Sequence, residues 1–221
     1  MPESYLIRLI VSAAVAFLLG SIPTSYLLGK YIYGIDPRDV GSGATGATNT
    51  ARAMGPAAGI VTALADIAKG WLALFVTQHY LVTEQIFGTA KMQWALGAAL
   101  IAVIAGHAFS PWLRFRGGKG VAVAGGAMLA LLAPLFFIEL ATLIVITLLS
   151  GFVGLGSILV ALALPVLLAA FPATRSVPLV ISGLVAGLFV VWLHRENIAR
   201  LRAGTENKLS WNKAENKRDT K

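Results

Sequence analysis

Residues 121–171 read VAVAGGAMLALLAPLFFIELATLIVITLLSGFVGLGSILVALALPVLLAAF, a run of 51 residues whose only charge is Glu139. One helix of that length would extend about 75 Å, against a bilayer hydrocarbon core of about 30 Å. The run must therefore fold back within the membrane. Pro134, the turn-forming SGFVGLGS at 150–157 and Pro165 are the breaks it offers.

The rest of the chain agrees with a membrane reading. Residues 5–28, 57–80, 92–110 and 177–193 each supply roughly one bilayer of apolar helix. The first of these begins like a signal peptide, with Arg8 before an apolar run. However, Glu3 lies in its charged region and the apolar pattern continues through GSIPTSYLLGKYIY, so it reads as a retained helix. With 57% hydrophobic and 13% charged residues among 221, the chain has too little polar surface to coat a water-soluble globule. The absence of Cys excludes disulfides, thiolate metal sites and a cysteine nucleophile.

Charge sets the parity of the crossings. The net +8 is concentrated in a few loops and in the tail, which reads as topology rather than nucleic-acid binding. The segment from His194 to Lys221 holds eight Lys and Arg, and RFRGGK at 114–119 is the other dense basic loop. Both belong inside by the positive-inside rule, and the helix at 177–193 then leaves Arg175 outside. An odd number of crossings must separate 119 from 175, so residues 121–171 are expected to form three short helices averaging about 17 residues. The expectation is an all-α polytopic membrane protein of seven transmembrane helices, N-terminus outside and C-terminus cytoplasmic. Residues 1–205 form its membrane domain and 206–221 a basic polar tail.

This count brings four unusual segments to the cytoplasmic face: GSGATGATNTAR (41–52), GHAFSPWLRFRGGKG (106–120), the GLGS turn (154–157) and HRENIARLRAGTENK (194–208). Glycine-rich loops expose backbone N–H groups that form anion-binding concavities, and Ser42, Thr45, Thr48 and Asn49 add side-chain donors. Arg52 and Lys119 add positive charge suited to phosphate. Two such loops suit two phosphate groups held together.

Named nucleotide and metal motifs fail. Residues 41–46 fit G-x-G-x-x-G but lack the strand–helix context of a Rossmann unit. Lys119 is followed by Gly120 and has Leu113 where Walker A needs a glycine. No H-E-x-x-H or other His–carboxylate cluster supports a metal site. Neither His107 nor His194 is followed by the Asp of an H-x-x-x-x-D acyltransferase dyad.

Other residues have plain structural readings. AVAGGAMLA at 122–130 fits close helix packing. Arg114 and Arg116 fit orientation at an anionic lipid surface, and His79, near the external interface, fits a structural role. His107 and His194 suit helix ends. Asp66 and Lys69, spaced i, i+3 inside a helix, read equally as an intrahelical ion pair or as substrate contacts.

Five segments in order, GSIPTSYLLGK (20–30), GSGATGATNTARAMG (41–55), DIAKG (66–70), GHAFSPWLRFRGGKGVA (106–122) and HRENIARLRAGTE (194–206), resemble the bacterial PlsY family over nearly the whole membrane part. The resemblance implies a plasma (inner) membrane enzyme that moves a fatty acyl group from acyl-phosphate to the primary hydroxyl of glycerol 3-phosphate. Its products are lysophosphatidic acid and phosphate, the first step of phospholipid synthesis, and it needs no cofactor. It implies catalytic roles for Ser42, Lys119, His194 and Asn197. Gly41, Gly43, Thr48, Asn49, Arg52, Gly117, Gly118 and Ser157 are implied to bind substrate, and Glu206 to hold the last loop together. His194 is the chemical candidate for the base, but the substrate's own phosphate could accept the proton, and the resemblance favours that route. Two positions depart from the family pattern: Ala44 stands where an Asn is usual, and Gly154 where a Ser is frequent. The competing class is a transporter of phosphate or an organophosphate, which calls for a midplane site with polar residues leading to both faces. The external half here is nearly all apolar, which favours an enzyme open to cytosol and lipid.

Overall fold

The computed structural model describes residues 2–209, and among them every regular element is helical. The long apolar helices are α1 (Pro2–Ser21), α4 (Pro56–Val76), α6 (Thr89–Ala108), α8 (Ala133–Ser150), α9 (Val153–Ala170) and α10 (Val177–Leu193). Shorter pieces connect them: α2 (Thr24–Leu28), α3 (Ala47–Met54), α5 (Glu84–Phe87), α7 (Val121–Leu131) and α11 (Arg195–Arg202). Of the basic tail at 206–221, residues 210–221 lie outside the described residues.

Five stretches are long and apolar enough to cross a bilayer: Ser4–Tyr33, Pro56–Leu81, Thr89–Leu113, Ala133–Ser150 and Val153–Ala170. The pair α10 and α11, bent by 57° at His194, makes a sixth. The run 121–171 does form three helices, of 11, 18 and 18 residues. At about 1.5 Å per residue α7 covers only about 16 Å. The loop before it hydrogen bonds to the end of α6, with Gly117 N–H donating to the Ala108 carbonyl at 2.9 Å and Gly118 N–H to that of His107 at 3.1 Å.

The breaks have local causes. A single extended residue, Leu132, separates α7 from α8, and Pro134 sits in the first turn of α8, where its missing N–H costs nothing. Gly151, at φ +80°, ends α8 in the left-handed conformation. The reversal is therefore confined to Gly151 and Phe152, and the expected GLGS turn at 154–157 is instead the first part of α9. Pro165 lies inside α9 and does not end it.

Helix α6 is the centre of the bundle, with Leu96, Ala99, Leu100, Val103 and Ile104 almost wholly buried. Glycines set how closely its neighbours approach. A Cβ on Gly20 or Gly106 would strike the backbone between α1 and α6, and one on Gly70 or Gly126 the backbone between α4 and α7. This is the small-residue packing of membrane helices. Leu6, Ile7 and Leu18 on α1, Leu148 and Leu149 on α8, and Val166 on α9 face outward, as a lipid-facing surface requires.

Candidate active site

The first glycine-rich loop is organised by one amide. Asn49 Nδ2 donates to the carbonyls of Pro37 at 2.7 Å and Ala44 at 3.0 Å, while its Oδ1 accepts from Ser42 N–H at 3.0 Å. Gly41 has φ +62°, and a Cβ there would strike Asn49 Oδ1. Asn49, expected as a ligand for the acyl-phosphate head, thus has its amide engaged in shaping the loop. The Thr50 hydroxyl, 2.6 Å from that of Ser25, ties the following helix to α2. What the loop leaves open is the start of α3, where Ala47, Thr48 and Asn49 N–H have no helical acceptor. The hydroxyls of Ser42 and Thr48 add to this end, and neither makes a hydrogen bond among the described residues. Free N–H groups and hydroxyls at a helix start have the chemistry that suits an anion.

The second loop presents Lys119. Its ammonium donates to Asn197 Oδ1. Asn197 Nδ2 donates to Glu206 Oε1 at 2.7 Å, and Arg200 Nε donates to Glu206 Oε2 at 2.9 Å. Glu206 thereby ties α11 to the segment after it. A Cβ on Gly154 would lie 2.8 Å from Asn197 Nδ2, so glycine there lets α9 approach this chain of polar groups. Gly117 and Gly118 spend their N–H groups on α6 carbonyls and do not line the pocket, nor do Gly41 and Gly43.

Burial shapes the charges. It pushes the Lys119 ammonium down to about 8, helped by the positive Arg200 and Arg52 and opposed by Glu206 and Glu196. The Arg52 guanidinium is likewise lowered by burial, and it makes no hydrogen bond or ion pair among the described residues. His194, at the bend after α10, is pushed down to about 4, first by burial. Its Nδ1 lies 2.8 Å from the Val190 carbonyl. A carbonyl only accepts, so Nδ1 holds the proton and Nε2 remains an acceptor.

These groups line one cavity of about 250 Å³. Ser42, Thr48, Asn49, Arg52, Lys119, Ser157, His194, Asn197 and Glu206 form its polar part. Phe136, Leu140, Leu143 and Val160 line an apolar part between α8 and α9. Asp66, His107 and Glu139 also line it; the sequence leaves Asp66 open as a substrate contact and gives no site role to His107 or Glu139. Asp66 and Lys69 form the intrahelical ion pair at 2.9 Å. Glu139 is 6% exposed, and its carboxyl makes no hydrogen bond among the described residues. The signal in the sequence is its isolation as the one charge in a run of 51 residues. Among the described residues no three His, Asp or Glu side chains converge as metal ligands do.

Comparison with known proteins agrees with this geometry. The family model described as glycerol-3-phosphate acyltransferase matches residues 10–204. A glycerol-3-phosphate acyltransferase of Thermosynechococcus vestitus is 44% identical over 201 residues, covering 89% of this chain and 93% of the relative. Another, of Carboxydothermus hydrogenoformans, is 36% identical over 205 residues, covering 93% and 98%. The crystal structure of PlsY (YgiH), an integral membrane glycerol 3-phosphate acyltransferase, in its glycerol 3-phosphate form superposes with a TM-score of 0.80 at 31% identity, covering 94% of this chain and 96% of the other. Its lysophosphatidic acid form gives 0.79 at 29% identity, covering 92% and 96%. With the matching model spanning nearly all of the membrane part and the polar groups of distant helices meeting in one cavity, the chain belongs to the PlsY-type glycerol-3-phosphate acyltransferase family.

Proposed function

We propose that the pocket transfers a fatty acyl group from acyl-phosphate to the primary hydroxyl of glycerol 3-phosphate. The observation that carries this reading is the pairing of two phosphate-suited clusters above one apolar slot. The start of α3, with Ser42 and Thr48, holds the acyl-phosphate head. Arg52, Lys119, Ser157, His194 and Asn197 hold glycerol 3-phosphate, and the acyl chain lies against Phe136, Leu140, Leu143 and Val160.

In the transfer, the primary hydroxyl oxygen attacks the acyl carbonyl and the bond from that carbon to the phosphate oxygen breaks. The hydroxyl proton ends on phosphate, giving lysophosphatidic acid and inorganic phosphate. His194 Nε2 accepts from the hydroxyl and orients it, but an imidazole lowered to about 4 is a weak base. A phosphate with a second pKa of about 6 is the better proton acceptor. Positioning and charge stabilisation supply the acceleration. Purified protein is expected to form lysophosphatidic acid from palmitoyl phosphate and glycerol 3-phosphate. Failure to do so, with glycerol 3-phosphate taken up by proteoliposomes instead, would favour a transporter.

Charge on Lys119 is needed to hold phosphate, and it is lost as pH rises through about 8. The glycerol phosphate dianion forms above about pH 6. The kcat/KM for glycerol 3-phosphate is therefore expected to plateau between these limits and to fall on the alkaline side. In Lys119→Arg the alkaline limb should move well above 8, because guanidinium stays charged. An unmoved limb assigns it to another group.

The orientation proposed with this chemistry is seven crossings in the bacterial inner membrane, N-terminus outside and C-terminus cytoplasmic. Thr174 is unsuited as a labelling site because it is buried, its hydroxyl donating to the Leu168 carbonyl at 2.9 Å. Ala173 and Asn207 are exposed. In intact cells Ala173→Cys should react with an impermeant thiol reagent and Asn207→Cys should not. The reverse pattern would overturn the orientation.

A further inference from the structure

His107, 6% exposed at the end of α6, lines the cavity but has no part in the transfer described above. Its Nδ1 lies 2.9 Å from Lys69 Nζ. That ammonium is also 2.9 Å from Asp66 Oδ1 and donates to the Ile22 carbonyl at 3.1 Å. An ammonium has only donors, so Nδ1 accepts and the imidazole proton sits on Nε2. Nε2 makes no hydrogen bond among the described residues. A Cβ on Gly118 would strike it, which places this N–H beside the residue preceding Lys119. A buried donor is costly to leave without an acceptor, and Lys69 and Asp66 hold the ring in the one tautomer that presents it.

We propose that His107 Nε2–H is a further hydrogen-bond donor to the acyl-phosphate headgroup, with Lys69 and Asp66 as the pair that positions it. The assignment rests on the acyl-transfer reading, and the donor is matched to acyl-phosphate by position. His107 belongs to the wall built by α3, α4 and α6, where Gly59 of α4 packs against Ala51 of α3 and Thr45 N–H reaches the Gly117 carbonyl. Ser157, His194 and Asn197 stand on α9, at the α10–α11 bend and on α11.

The test uses full-length protein in detergent, with palmitoyl phosphate and glycerol 3-phosphate varied separately. His107→Phe keeps a ring but no donor, and should lower kcat/KM for palmitoyl phosphate about ten- to a hundredfold, the loss expected for a hydrogen bond to a charged group. KM for glycerol 3-phosphate should stay within about twofold. His107→Gln restores an N–H donor and should recover most of the loss. Equal losses for both substrates, or none in His107→Phe, would overturn the assignment. A readout independent of turnover is the nitrogen resonance of His107 in isotope-labelled protein, identified by its absence from His107→Gln. Adding a non-transferable acyl phosphonate should shift it, and an unmoved resonance would overturn the proposal even if His107→Phe fails to fold. A shifted resonance in a protein without transfer activity would sink the acyl-transfer reading and leave this contact standing.

Discussion

Lys119→Ala is expected to lower kcat/KM for glycerol 3-phosphate at least about ten- to a hundredfold while the protein remains folded. The ammonium is partly buried at the junction of the second loop and α11 and donates to Asn197 Oδ1. Asn197 stays tied to Glu206 without it, so the scaffold survives and the loss falls on the ligand. A hydrogen bond to a charged group is worth about 1.5 to 3 kcal/mol, and each 1.4 kcal/mol is a decade in rate. KM for palmitoyl phosphate should change less. Arg116→Ala, from the exposed part of the same loop, is the control and should stay within about threefold. Retention of more than about half of wild-type kcat/KM in Lys119→Ala would remove Lys119 from the phosphate site.

Arg52→Met should have an effect of similar or greater size, with an opposite sign in stability. Its guanidinium lines the pocket with no hydrogen bond or ion pair among the described residues, and burial disfavours its charge. Two charge-assisted bonds to a phosphate would be lost, so transfer should fall more than about a hundredfold. The ligand-free protein, relieved of a half-buried unpaired charge, should melt at a higher temperature than wild type in the same detergent. A lowered midpoint, or activity within about tenfold of wild type, would show that Arg52 is held by the protein for its own stability.

The sequence reading located the bundle's breaks better than its depths. Pro134 and Gly151 mark real reversals, because proline in a first turn and left-handed glycine act locally, whereas Gly154, Gly156 and Pro165 lie inside α9. The 11-residue length of α7 was hidden, since a run without charges gives no edge from which to measure depth. Likewise Ser42, Arg52, Lys119, Ser157, His194 and Asn197 meet in one cavity, as charge topology and the family resemblance together implied. The roles of Asn49, Gly117 and Gly118 were not legible. Their partners are the loop's own carbonyls and the end of α6, and hydrogen bonds of that kind leave no periodicity to read. His107 shows the same limit, because its tautomer is set by Lys69, 38 residues away on another helix.

Direct transfer between two substrates bound together, with no acyl-enzyme, is the chemistry proposed for this site. It is tested most directly by mixing purified enzyme with palmitoyl phosphate in the absence of glycerol 3-phosphate, and measuring both phosphate release and the intact protein mass. Direct transfer requires no phosphate burst and an unchanged mass. Adding glycerol 3-phosphate should then release one phosphate for each lysophosphatidic acid formed. A burst equal to the enzyme concentration, with the protein heavier by one palmitoyl group, would contradict it.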